Sequence, residues 1–474
     1  MTKFSYSDYL SQFRNAGRKC RDFHPRLQGD FRRGGGGGGR GGGGGGTEDL
    51  LKENKDGWLP LHHAAYFGQT ECLKALLRGN SSVDKRTLQE QTALLLSVSC
   101  EHLPCVRCLL ESGADPDICS NNKETPLFKA CELENVDMVS LLLSHGASVN
   151  QRCGQGWTAL HEAVSRNDTE ICDILIRAGA TINPPNTYSI TPLTVAAQRG
   201  LMGPLSYLIE KGADVNIQTC DGVTALHEAS KNGHKEAVAL LLTKTADANK
   251  PTKSGLLPLH VAAQYGHHEI VSLLVSATSR AVLRHSWITP LHLAAEHDRH
   301  AAAAVLLKTG ADVNATLAPG HSSLYADRRA TALYFAVANG STRTTEVLLK
   351  AGASPSLDPI SPLLMAARLG CVSTVSLLLE RGADVNARIP SHATTFPAVI
   401  PLCMNNLPLL KCVLNHGCDA LSCFTSAMSH QKGRLSELLD STGEWHAIKR
   451  KSCKSTFPKT RRPHKHLHKK TRVR

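Results

Sequence analysis

Asp221-Gly222-Val223-Thr224-Ala225-Leu226-His227-Glu228-Ala229-Ser230-Lys231-Asn232-Gly233-His234 decides the fold. Asp221-Gly222 makes a turn, because glycine takes positive φ at no steric cost. Thr224-Ala225-Leu226-His227 opens a helix, and Leu226, Ala229 and Ser230 keep that helix narrow. Lys231-Asn232-Gly233-His234 stops it. From Glu236 to Thr243 a second helix follows, with Val238, Leu241 and Leu242 on one face at helical spacing. The stretch is therefore a turn and two short helices, each with an apolar face that the pair alone cannot cover.

The same unit recurs. Leu59-Pro60-Leu61-His62, Thr92-Ala93-Leu94, Thr125-Pro126-Leu127, Thr158-Ala159-Leu160-His161, Thr191-Pro192-Leu193, Thr224-Ala225-Leu226-His227 and Leu257-Pro258-Leu259-His260 succeed one another at steps of 33 residues. Where proline replaces alanine it occupies the first helical turn, where a missing N–H costs nothing. Looser markers follow at Pro290, Ala332, Pro362 and, weakly, Pro401. Gly212-Ala213-Asp214-Val215-Asn216 closes a second helix with a left-handed glycine stop, and Gly310 to Asn314 and Gly382 to Asn386 repeat it. A 33-residue period with a Thr-Pro-Leu-His-like signature reads as ankyrin. The fold class is thus an all-α ankyrin-repeat solenoid of about eleven repeats, with disordered N- and C-terminal tails.

Stacking such units builds one continuous core whose stability is a sum over repeats and interfaces. No central pocket is expected. The product is a curved slab whose concave face, made of helix ends and hairpin tips, suits a peptide or a folded domain better than a metabolite.

The chain has 474 residues and a formal net charge of +13. That average hides a pattern. Residues 449–474 hold twelve Lys/Arg and no acid, and residues 1–46 hold nine Lys/Arg against three Asp, so the remainder is mildly acidic. Sixteen cysteines lie mostly inside repeat helices, as at Cys72, Cys131, Cys172 and Cys371, and read as small buried apolar residues. With no signal peptide in front of them, they imply a reducing, cytoplasmic setting. No run of eighteen apolar residues occurs, which argues against a membrane span.

Four segments follow. Residues 1–46 are a disordered N-terminal segment, in which Phe4, Tyr6, Tyr9, Leu10 and Phe13 leave a short helix and disorder both open, ending in a glycine-rich tether, Gly34–Gly39 and Gly41–Gly46. Residues 47–420 are the repeat array. Residues 421–448 are a linker with a short amphipathic stretch, Leu435, Leu438, Leu439, Trp445 and Ile448. Residues 449–474 are a basic disordered tail. Nuclear localisation through Arg461-Arg462 and Lys469-Lys470 and a solvated tail without a role are both open; nucleic acid is not expected as a partner. The long step to Ala332 marks an insertion over residues 317–329, read either as a partner-contacting loop or as a solvated one.

Catalytic and metal patterns fail on inspection. His161-Glu162 and His227-Glu228 lack a second histidine four positions on, where Ser165 and Lys231 stand, so no zinc-protease helix is formed. Cys105-Val106-Arg107-Cys108 is a lone pair with no partner pair at finger spacing. No phosphate-binding loop and no Ser/His/Asp set appear. The expectation is a non-enzyme with no cofactor and no metal. His62, His161, His227, His260 and His292 share one repeat position, which points to a structural hydrogen bond. For partner contact the aromatic residues at the tips stand out: Trp58, Trp157, Tyr188 and Trp287, with Tyr325 and Arg328 in the insertion. Each aromatic is equally open to a role in packing between repeats.

Whole segments resemble the ankyrin-repeat-and-SOCS-box family. Gly57-Trp58-Leu59-Pro60-Leu61-His62, Arg86-Thr87-Leu88-Gln89-Glu90, Gly156-Trp157-Thr158-Ala159-Leu160-His161-Glu162, Tyr325-Ala326-Asp327-Arg328-Arg329 with Ala332-Leu333-Tyr334-Phe335, and Phe396-Pro397-Ala398 carry the likeness over roughly residues 51–424. The resemblance implies a substrate-recognition subunit of a cullin-5 RING ubiquitin ligase. In such a subunit the array holds the substrate, with filamin-type actin cross-linkers suggested, and a C-terminal box binds elongin B and elongin C and recruits cullin-5. This chain departs from the family after Cys453, where neither a Leu-x-x-x-Cys helix nor a Leu-Pro-Leu-Pro-like motif follows. The alternative to a ligase subunit is a general ankyrin scaffold, nuclear through its basic tail.

Overall fold

The structure is a computed structural model that describes residues 53–55, 57–78, 82–317, 319–325, 329–388 and 397–419. The glycine tract, the amphipathic stretch after residue 421 and the basic tail lie outside the described residues. One of two compact units takes in residues 45–324 and 328–431, and the described helices lie in it; of the other unit the structure describes Tyr325, which is buried.

Among the described residues there are 24 helices, and 22 of them form eleven consecutive pairs, from Pro60–Tyr66 with Thr70–Arg78 to Val399–Cys403 with Leu407–Asn415. The two that stand outside the pairing are Arg280–His285 and Pro319–Ser322. First helices pack on the first helices of neighbouring repeats, and second helices on second helices.

The sequence marker works as a cap. Thr125 Oγ1 accepts from Phe128 N at 3.1 Å, and Thr92, Thr191 and Thr331 bond in the same way to the third helical residue. The amide that would otherwise be orphaned is thereby satisfied. Gly233 ends its helix at φ +83 and Gly222 turns the tip at φ +78, as the composition of the unit requires. Leu226, Ala229, Val238 and Leu241 are wholly buried.

Two expectations need correction. The last marker is Pro397 rather than Pro401: the second helix of that pair is capped by Asn406, nine residues after Pro397, as Cys371 stands nine after Pro362. Pro401 lies inside the helix Val399–Cys403. The cysteines are not uniformly core, since Cys72 is exposed and Cys371 is half-exposed at a helix N-cap. The helix of Cys72 buries only Leu73, so its neighbour faces outward. The described part of the insertion is mixed, with Leu324 69% exposed. Leu317, Ser322 and Arg329 are buried. Thr316 and Thr331 form an antiparallel bridge, and the Arg329 guanidinium lies 5.2 Å from the Phe335 ring.

Candidate protein-binding surface

The interior is spoken for by the stack. His227 shows how: its Nδ1 accepts from Thr224 N at 3.2 Å, while its Nε2 donates to Leu256 O of the next repeat at 3.1 Å. His62, His161, His260 and His292 make the same crossing, to Lys85 O, Ile190 O, Ile288 O and Ala330 O. A ring whose Nδ1 accepts an amide proton is neutral with its proton on Nε2. Burial holds His161, His227, His260 and His292 down to about 4. These rings are inter-repeat fasteners with no open approach for a reactant.

What the array does present lies on its first helices. The residue seven places after the repeat marker (Pro60, Ala93 and so on to Pro397) is uniform in location and varied in kind. It is Phe67, Cys100, Leu133, Arg166, Arg199, Asn232, Tyr265, His297, Asn339, Leu369 and Met404 in successive repeats. Four of these are large apolar side chains left in water: Phe67 is 40% exposed, Tyr265 43%, Leu369 46% and Met404 64%. Aromatic neighbours extend the first of them. Trp58 stands 5.5 Å from Tyr66, and Tyr66 stands 5.1 Å from Phe67. Lys231 Nζ sits 5.9 Å over Tyr265.

Between these apolar ends the same face is polar and internally paired. Arg166 bonds Glu162 at 2.9 Å and reaches Glu132 at 3.7 Å, and Lys129 bonds Glu132 at 2.7 Å. Burial raises the Glu162 carboxyl above the usual carboxylate range, against the opposing pull of Arg166. Gln198 Nε2 donates to Glu228 at 3.1 Å. A scaffold of constant backbone with a variable outward column is chemically suited to reading a protein surface, because apolar anchors beside fixed charges supply both contact area and orientation.

The aromatic residues singled out in the sequence fall in different places. Tyr188 is half exposed at its tip. Trp58 is half-buried within the aromatic group of the first repeat. Trp287 donates from Nε1 to Ser254 O at 3.0 Å and stacks on His321 at 5.7 Å. Trp157 is buried and lies 5.1 Å from His161 of its own repeat. Tyr325 is buried, and Arg328 lies outside the described residues. The structure brings Trp58 together with Tyr66 and Phe67, a grouping that tip position alone does not reveal. Phe67, Tyr265 and Leu369 were legible in one respect: each directly precedes the glycine that ends its first helix.

Among the described residues no group of three or more His, Cys, Asp or Glu is arranged to hold a metal ion, and no helix is long and apolar enough to cross a membrane.

Residues 45–120, 112–186, 184–252, 244–316 and 318–389 match the family model described as ankyrin repeats (3 copies). Ankyrin repeat and SOCS box protein 2 of Mus musculus is 54% identical over 148 residues, which are 31% of this chain and 23% of that protein. Ankyrin repeat and SOCS box protein 14 of Mus musculus is 39% identical over 147 residues, 31% of this chain and 25% of that protein. The match thus spans about a quarter of the length of these relatives. The ankyrin repeat domain of Bcl-3, a solved structure, is 29% identical with a TM-score of 0.43, covering 47% of this chain and 100% of that one.

Proposed function

The chain belongs to the ankyrin-repeat family, and from that premise we propose that it is a non-catalytic adaptor that holds a protein client on its first-helix face. The observation that carries this reading is the column of Phe67, Tyr265, Leu369 and Met404, large apolar side chains exposed at one repeat position. A stable fold gains nothing from keeping them in water, whereas a partner that covers them removes apolar surface at about 25 cal/mol per Å².

We further propose that the adaptor serves a cullin-5 RING ubiquitin ligase, in ubiquitin-dependent degradation, in the cytoplasm. Similarity to two ankyrin repeat and SOCS box proteins supports this assignment, and filamin-type actin cross-linkers are the first clients to try. The test is co-purification of the full chain with elongin B, elongin C and cullin-5, alongside capture of a filamin. Recovery of all three ligase components supports the ligase role. Capture of a client without them supports the scaffold alternative. Failure to bind any client, with the array folded, overturns the adaptor reading itself.

A further inference from the structure

The array is mildly acidic, yet one part of it is not. Between Asp247 and Glu296 the one acid is Glu269, and Lys235 of the preceding repeat holds it at 3.1 Å. The same interval carries the tip of the seventh repeat, with Lys253, and the helix Arg280–His285 that stands outside the pairing.

That helix is unusual in its energetics. None of its side chains is fully buried, and only Val282 and Leu283 are half-buried, so apolar burial supports it only weakly. Arg280 and Arg284 are one turn apart on the same face, a like-charge spacing that disfavours a helix. Arg280 is also the first helical residue, where the helix dipole repels a cation. Both arginines and Lys253 are exposed and form no ion pair among the described residues. The nearest acid along the tips, Asp221, meets Lys253 through its backbone carbonyl at 2.9 Å.

The helix is nevertheless held in place. Ser279 N donates to Asn249 Oδ1 at 2.7 Å at its start. Just past its end Trp287 donates to Ser254 O at 3.0 Å, and the indole covers Gly255, whose added Cβ would meet it at 3.2 Å. Three unpaired cations are therefore fixed at adjoining tips beside a half-buried tryptophan. Such an arrangement is selective for negative charge on a chain that also carries an apolar residue.

We propose that the tips of the seventh and eighth repeats, through Lys253, Arg280 and Arg284, dock an acidic segment of the client protein. The inference rests on the adaptor reading and adds the chemical class of the segment recognised.

The experiment uses the full chain and short fluorescein-labelled peptides of Glu, Ser and Leu, the same peptide with phosphoserine, and a Lys-for-Glu counterpart, with oligothymidylate as a further probe. Hydrogen exchange locates the contact, and anisotropy measures affinity. The expected result is slowed exchange at residues 279–288 with the acidic peptide, and affinity about tenfold weaker in the triple variant K253E/R280E/R284E. The control K308E changes charge at an exposed site elsewhere and is expected to bind as the unchanged chain does. Because Lys253, Arg280 and Arg284 are exposed, the triple variant is expected to keep its thermal midpoint. Tighter binding of the phosphoserine form assigns the site to phosphorylated segments, and equal binding assigns it to carboxylates.

Protection confined to residues 449–474, an equal loss in K308E, or tighter binding of oligothymidylate at residues 279–288 overturns the proposal. If a client is captured equally by the triple variant, the adaptor reading stands and this inference fails.

Discussion

At the scale of single residues, glycine shows how one amino acid meets two different demands. Gly212 has φ +91 with open space where a Cβ would stand, while Gly222 has φ +78 and a Cβ there would lie 2.9 Å from Lys253 N and 3.1 Å from Thr252 Cα. Gly212→Val therefore costs only the left-handed strain, about 1–2 kcal/mol. Gly222→Val adds a backbone clash with the next tip and is expected to be the more damaging, as parallel urea titrations would show. Leu241, wholly buried in the second helix of its repeat, is expected to cost about 2–5 kcal/mol when changed to alanine; a neutral result would contradict the packing described. The reverse change is available where the sequence departs from the pattern. Lys123 holds φ +59 at a tip where other repeats use glycine, so Lys123→Gly is expected to stabilise by about 1 kcal/mol, read as a rise in thermal midpoint.

At the scale of elements, the repeats are joined by three ladders of directed bonds as well as by apolar contact. The histidines of the first helices form one. A second runs through Asn150, Asn183, Asn216 and Asn249, whose side-chain carbonyls accept from Thr181 N, Asp214 N, Asp247 N and Ser279 N of the following repeats. The third is made by His102, His234 and His267, whose Nε2 atoms donate to Tyr66 O, Gln198 O and Lys231 O. The ring of His267 fills the space over Gly233, where a Cβ would come within 2.7 Å of it. Ala330 and Thr331, just after the insertion, are fastened separately. Asp358, buried, accepts from Ala330 N at 2.7 Å, from Thr331 N at 3.0 Å and from the Thr331 hydroxyl. Asp358→Ala would strand two amides at about 1–3 kcal/mol each. It is expected to speed hydrogen exchange at residues 329–331 more than in the first repeats.

At the scale of the whole molecule, the array is expected to weaken in acid. His161, His227, His260 and His292 are held down to about 4 by burial, whereas the unfolded chain takes up protons near 6.5. Below pH 6.5 the unfolded state therefore binds more protons, and stability falls with pH until about 4. At 1.36 kcal/mol per pH unit, each histidine accounts for about 3 kcal/mol across that window. Burial moves Glu124, Glu162 and Glu296 the other way, above the usual carboxylate range, so they favour the folded state in mild acid. Four histidines outweigh three carboxylates, and a midpoint in urea that falls between pH 7 and pH 4.5 is the expected outcome. An unchanged midpoint would contradict the neutral-ring assignment.

Because the repeat is local, the sequence by itself determined the class of fold, the two-helix unit and the place of each turn. A 33-residue period places the same short-range signals, Thr at the cap and Gly at the stop, wherever a pair begins or ends. It also determined that five histidines share one structural position. The tertiary structure alone decided which side chains remain in water. Whether Trp157 is buried and Tyr265 exposed depends on the residues that neighbouring repeats set against them, and those lie about 30 positions away along the chain. It alone corrected the last marker, since Pro397 and Pro401 both suit a helix start and only the capping Asn406 chooses between them. It also decided how Thr331 is held: Asp358 meets it only once the next repeat has stacked.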